Sequence, residues 1–314
     1  MENLKKKNTI QIWLNISMLA FFGALFIIGT FNDEAIAGAL FSPDSIPAAA
    51  ITSTGVYPFF TAPVLFAGAL FERSLHSGKS KSGKVILCAL CIIIAAFVGF
   101  IGGGALSDRN CFGMIFPAIA RNIPVVVALS VIFEFPMFLV GYHFAKRSDD
   151  KLLVKRIIGL LVILLIAFVT MQVLKNVFHR PRYRTAVLGY EGIGYVPWHT
   201  RFTGSEGYVT EYGINADEFR SFPSGHSILS ISAMYILPSL SWIFPKLKDK
   251  QILLILVGFV FGVAIMLTRI ILGAHYLSDV SAGAIIGILL SLVYTFMQQQ
   301  ISKHINKQQT LCSP

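Results

Sequence analysis

ILLILVGFVFGVAIMLTRIILGAHYLSDVSAGAIIGILLSLVYTF, residues 252–296, decides the fold. Two apolar runs, 252–272 and 279–297, are each long enough to cross a hydrocarbon core of ~30 Å, which takes ~20 helical residues. The polar residues gather at the junction, where Arg269, His275 and Asp279 stand in the spacing R-x5-H-x3-D. Working towards the N-terminus, six more runs of this kind appear, at roughly 8–30, 50–71, 85–104, 123–145, 156–174 and 225–244. All are expected to be helical, because a spanning backbone must satisfy its own hydrogen bonds and the runs lack the alternation of barrel strands. The expected fold class is all-α: a polytopic transmembrane helical bundle of about eight spans. The run at 50–71 is the least regular, since Pro58 and Pro63 interrupt it.

Composition agrees. A chain of 314 residues that is 55% hydrophobic and 13% charged, with mean hydropathy +0.69, is too apolar for a soluble domain. The net charge of +10 raises nucleic acid as a partner. Its distribution answers otherwise, because cytoplasmic loops of membrane proteins carry excess Lys and Arg. With the N-terminus inside, Lys5, Lys6, Lys7, Arg73, Lys79, Lys81, Lys84, Lys146, Arg147, Lys151, Lys155, Arg156, Lys246, Lys248, Lys250, Lys303 and Lys307 are cytoplasmic, 17 of the 26 basic residues. Both termini are therefore expected in the cytoplasm, and neither nucleic acid nor an obligatory protein partner is needed. The first run has a basic front and Ala35-Ile36-Ala37 behind it, as a signal peptide would, but its long apolar core favours an uncleaved anchor. Cys88 and Cys91 read as small packing residues in a helix, while Cys111 and Cys312 fall on opposite sides without a mutual partner.

Most connections are short, so residues 175–224 stand out as an outer loop of about 50 residues. Tyr183, Tyr190, Tyr195, Trp198, Phe202, Tyr208, Tyr212 and Phe219 make it too aromatic for plain disorder. A cap over the helix ends is expected, with an aromatic belt at headgroup level as the alternative. The organisation expected is residues 1–122 as N-terminal spans, 123–300 as a catalytic membrane core and 301–314 as a cytoplasmic tail.

Three blocks carry chemistry. Lys175 and Arg182, in K-x6-R spacing, follow the fifth span; either alone is an ordinary snorkelling cation. Pro223-Ser224-Gly225-His226 opens the sixth, where backbone N–H groups of Ser224, Gly225 and His226 would form an anion site at a helix start, or simply a polar cap. His275 and Asp279 stand four apart, so the carboxylate can orient the imidazole through Nδ1, or the pair is a surface contact. Parity of the spans puts all three blocks on one face. Three cations there can neutralise phosphate oxygens, and no carboxylate cluster in the blocks suits a divalent metal, so neither metal nor cofactor is expected. Glu134 sits alone in the middle of a run, as a functional acid or as a protonated carboxyl bonded to backbone freed by Pro136.

The blocks resemble those of the phosphatidic acid phosphatase type 2 (PAP2) superfamily, related in fold to vanadium haloperoxidases, whose pattern is K-x6-R-P, P-S-G-H and S-R-x5-H-x3-D. This chain departs from it at Tyr183 and Thr268, neither of which removes a charged group. The resemblance implies a six-helix PAP2-like core with two additional spans. It also implies that Lys175, Arg182 and Arg269 bind phosphate with Ser224 and Gly225, and that His275, His226 and Asp279 are the catalytic set. His275 would become phosphorylated, His226 would protonate the leaving group and Asp279 would hold His275. The function implied is a metal-independent phosphatase acting on a lipid phosphate or diphosphate at the extracytoplasmic face of the cell membrane. A lipid phosphotransferase using the same site, and a non-catalytic lipid transporter or flippase, are the competing readings.

Overall fold

The computed structural model describes residues 2–120 and 122–311; side chains are described for 9–120, 122–302. The side chains of Lys5, Lys6, Lys7, Lys303 and Lys307, the end of the 301–314 tail and Cys312 therefore lie outside the described residues. The chain forms fourteen α-helices among the described residues, joined by 3-10 and π turns. In order they are α1 Glu2–Leu40, α2 Ile46–Thr54, α3 Tyr57–Leu75, α4 Lys81–Leu106, α5 Phe112–Ile115, α6 Ile123–Leu129 and α7 Phe135–Ala145. There follow α8 Leu153–Phe178, α9 Tyr183–Ala186, α10 Ser205–Tyr212, α11 Gly225–Ile231, α12 Ala233–Ser239, α13 Gln251–Ile271 and α14 Leu277–Leu311. The molecule is a polytopic helical bundle, and among the described residues seven segments are long and apolar enough to cross a membrane.

The sixth run, 225–244, differs from expectation. It forms α11 and α12 and a 3-10 turn rather than one long helix. Ser232 bonds back to the Ile228 carbonyl at 3.0 Å, and Pro238 lies inside α12, two features that bend or interrupt a helix. This broken segment is buried among α8, α13 and α14, where Ser230, Ser232 and Ser239 bond back to its own carbonyls and Ser239 also pairs with the Tyr294 hydroxyl at 2.5 Å.

The weak apolar signal of the second run also has a reason. The segment Ile46–Leu75 has the lowest hydropathy of the seven, 1.4, yet 72% of its window is buried, so its neighbours are protein rather than lipid. By contrast, α4 and the α6–α7 segment turn Ile92, Ile93, Phe97, Val131 and Ile132 outward. Small residues let α3 pack tightly on α7: a Cβ on Gly68 would stand 2.0 Å from the Phe138 carbonyl oxygen, and one on Gly141 1.7 Å from that of Leu65. Glu134 ends a π turn between α6 and α7, 2% exposed; its Oε1 accepts a hydrogen bond from the Thr61 hydroxyl at 3.3 Å, and its Oε2 is buried without a partner, so it is not bonded to a carbonyl freed by Pro136. Cys88 and Cys91 are free thiols within α4.

The 175–224 segment folds as a cap. Phe219, Ile193 and Ile214 make a small core of their own with Phe202 and Tyr208. Trp198 stacks on Phe222 and donates to the Thr30 hydroxyl at 3.0 Å, tying the cap to α1. Gly141→Ala is expected to separate α3 from α7 and cost ~1–3 kcal/mol or more. Thermal unfolding in detergent measures this; an unchanged midpoint would show that the helices are not in backbone contact.

Candidate active site

Each block is turned into place by its local backbone. α8 ends at His179, whose φ of 52° lies in the left-handed region used at helix C-termini, so the chain reverses there. The returning strand of residues is then clamped: Ser221 N–H donates to the Arg180 carbonyl at 3.0 Å, Arg182 N–H to Glu218 at 2.8 Å and Arg184 N–H to Gly273 at 2.9 Å. α13 ends in a similar turn at Gly273, φ 61°, which a residue with Cβ adopts poorly. Ala274 and His275 N–H groups bond back to the Arg269 carbonyl at 3.0 and 3.2 Å. That turn brings His275 round beside Arg269.

The eight residues singled out from sequence converge at one end of the bundle. His226 has Arg269, Lys175, His275 and Arg182 within electrostatic range. A Cβ on Gly225 would meet Lys175 Cε at 3.0 Å and Met171 Sδ at 2.7 Å, so the bare glycine lets the lysine lie across the start of α11. Arg182, Arg269, His275 and Asp279 are buried. Arg269 Nε and Nη2, Arg182 Nε and His275 Nε2 are buried without a hydrogen-bonding partner in the protein. Buried guanidinium donors are costly to leave so, which suits them to an anion.

Two expectations need correction in detail. Ser224 N–H is not free for an anion: it donates to the Asp279 carbonyl at 3.0 Å, while its Oγ caps α11 by accepting from Ser227 N–H at 3.3 Å. Ser224 thus fastens α11 to α14. His275 precedes α14, so it and Asp279 do not share a helical face, and Nδ1 lies 3.7 Å from Asp279 Oδ2, beyond hydrogen-bond range. Ser221 mediates instead, donating to Oδ2 at 2.5 Å and standing 3.5 Å from Nδ1; Tyr276 N–H adds a bond to Oδ2 at 2.9 Å.

Several groups were missed. Asn110, after α4, offers its side-chain oxygen to Arg182 at 2.6 Å and Arg184 at 2.8 Å, and its main-chain oxygen to Arg269 at 3.2 Å. Cys111 Sγ lies 3.5 Å from His226 Nε2. Glu218 pairs with Arg184 at 2.5 Å and Arg182 at 3.5 Å. Burial alone would raise its pKa, but the two guanidiniums hold it down at about 2. Ser221 and Arg180 adjoin the blocks and were within reach of sequence reading. Asn110, Cys111 and Glu218 follow no spacing that links them to the site. The two departures from the family pattern sit in contacts of their own: Tyr183 packs edge-on to Tyr276 at 5.9 Å, and the Thr268 hydroxyl pairs with that of Thr52 at 2.7 Å.

Burial pushes His275 down to about 3 although Asp279 pulls the other way, and nearby Arg269 adds to the depression. The imidazole is thus neutral over the ordinary pH range. With this geometry in hand, residues 156–303 match the sequence model of the PAP2 superfamily. The matched segment is a little under half of the chain, and over it the chain is similar to the PAP2 superfamily. No curated protein and no solved structure matches the chain.

Because its pKa lies far below the ordinary ~6.5, His275 gains no proton until the pH nears 3. Nitrogen-15 NMR of histidine-labelled protein at pH 5 should find a neutral imidazole whose signals vanish in His275→Ala. A His275 signal in the charged form at pH 5 would contradict the site's electrostatics.

Proposed function

We propose that the chain is a metal-independent membrane phosphatase that hydrolyses a lipid phosphate or diphosphate monoester at the extracytoplasmic face, through a phosphohistidine on His275. The observation carrying this reading is the buried Nε2 of His275, without a protein partner, next to unpaired N–H groups of Arg269 and Arg182. The match of residues 156–303 to the PAP2 superfamily supports it.

In the first step the Nε2 lone pair bonds to phosphorus and the bond from phosphorus to the leaving oxygen breaks. Lys175, Arg182 and Arg269 draw charge onto the nonbridging oxygens, as fixed cations do in phosphoryl transfer. His226 gives its proton to the departing oxygen. The phosphorylated imidazole keeps its Nδ1 proton and is a cation, which the Asp279 carboxylate opposes. In the second step water attacks phosphorus, His226 takes the water's proton, and the nitrogen–phosphorus bond breaks. Inorganic phosphate leaves and His275 is regenerated.

The basic residues of the even-numbered connections support cytoplasmic termini and an extracytoplasmic site. A site at the ends of spanning helices suits a headgroup whose chain stays in the bilayer. The test is phosphate release by purified protein in EDTA from phosphatidic acid, phosphatidylglycerol phosphate, a polyprenyl diphosphate and a lipid A phosphate. At least one should be turned over, and His275→Ala should lower kcat by about 10⁴-fold or more without loss of folded protein. Undiminished turnover by that variant would sink the mechanism.

A further inference from the structure

Asp33 lies in α1, outside the segment that matches the superfamily, and its side chain is buried at 1% exposure. An ionised acid in a spanning helix is costly unless it is paired. Its partners are Arg180 Nη2 at 2.9 Å, the Ser278 N–H at 2.8 Å and the Ser278 hydroxyl. Arg180 in turn gives Nη1 to Asp279 Oδ1 at 2.6 Å and to Ser278 Oγ at 2.9 Å, gives Nε to the Val196 carbonyl at 2.7 Å, and lies 4.0 Å over the Tyr276 ring. Each of its three nitrogens is bound within the protein, unlike those of Arg269. Arg180 is therefore built into the scaffold rather than offered to phosphate.

The difficulty lies in charge. Arg180 pairs with the same carboxylate that stands behind His275, and by itself it would cancel that carboxylate. Asp33 supplies a second negative charge, so Asp33, Arg180 and Asp279 together carry one net negative charge. When His275 bonds to phosphorus it becomes a cation, and that charge opposes it. The packing of α1 serves this placement. Gly29 lies one turn before Asp33; a Cβ there would stand 2.6 Å from Ser278 N and 3.0 Å from Asp33 Oδ1. Only a residue without a side chain lets α1 come so close to the start of α14.

We propose that Asp33 is a positioning residue: acting through Arg180 and Ser278, it keeps Asp279 oriented and the group behind His275 net negative. α1 is then part of the catalytic unit. This rests on the phosphohistidine reading above. The experiment measures kcat and KM for the best-turned-over lipid of the panel in wild type, Asp33→Asn, Asp33→Glu, Asp279→Asn and the Asp33→Asn/Asp279→Asn double variant, with size-exclusion profiles in detergent as the fold control.

Asp33→Asn should lower kcat about tenfold or more with KM within about twofold, because the loss falls on a charge that develops during reaction. Asp33→Glu should recover part of it. In the Asp279→Asn background, the same Asp33 change should cost less than about twofold, since the route to His275 is already cut. A wild-type kcat in Asp33→Asn, or an equal loss in both backgrounds, overturns the proposal. Should Asp33→Asn not yield folded protein, Gly29→Ala keeps every charge and displaces the carboxylate. It should show the same loss of kcat at unchanged KM, and a folded Gly29→Ala with wild-type kcat is equally fatal. A wild type inactive on every lipid overturns the parent reading and this one with it, whereas active wild type with unaffected variants overturns this one alone.

Discussion

Four like charges at one end of an apolar bundle set the constraint on which the rest depends. Lys175, Arg182, Arg184 and Arg269 stand together where little water is present to screen their mutual repulsion. Carboxylates must hold them, yet enough donors must stay unpaired to take an anion. Glu218 solves the first need for Arg182 and Arg184, and the carbonyl oxygens of Asn110 add neutral acceptors across Arg182, Arg184 and Arg269. Arg269 keeps Nε and Nη2 without a protein partner. A second set of charges, Asp33, Arg180 and Asp279, is fully paired and stands behind the histidine rather than beside the anion.

The backbone holds these two sets in separate networks. His179 and Gly273 reverse the chain at the ends of α8 and α13, so that Arg180 and Arg182, two residues apart, enter different networks. Ser224 links α11 to α14 through the Asp279 carbonyl, while the Asp279 side chain reaches Arg180 and Ser221. One residue therefore joins two helices by its backbone and the charge system by its carboxylate. Movement of either helix would disturb the orientation of His275.

Much of this was legible in the sequence because it is written in local spacing. Apolar runs of spanning length gave the helices, and the three blocks gave Lys175, Arg182, His226, Arg269, His275 and Asp279, all of which meet. What escaped depends on contacts between residues far apart in sequence. Nothing in the spacing of Asn110 links it to Arg182, 72 positions away, nor of Asp33 to Arg180, 147 away. Ser221 lies two residues from a recognised block, but its role rests on a distance of 3.7 Å between His275 and Asp279 that helical periodicity had made shorter. The sixth run looked like an ordinary lipid-facing span because hydropathy does not distinguish a broken, protein-buried helix from a lipid-exposed one.

The central claim is that His275 carries the phosphoryl group. Protein quenched in base during turnover of a phosphorus-32-labelled lipid phosphate, digested and mapped by mass spectrometry, tests it directly. The account predicts an acid-labile phosphoryl group on the peptide containing His275, absent in His275→Ala. Turnover with no phosphorylated peptide, or with the label on His226, would contradict it.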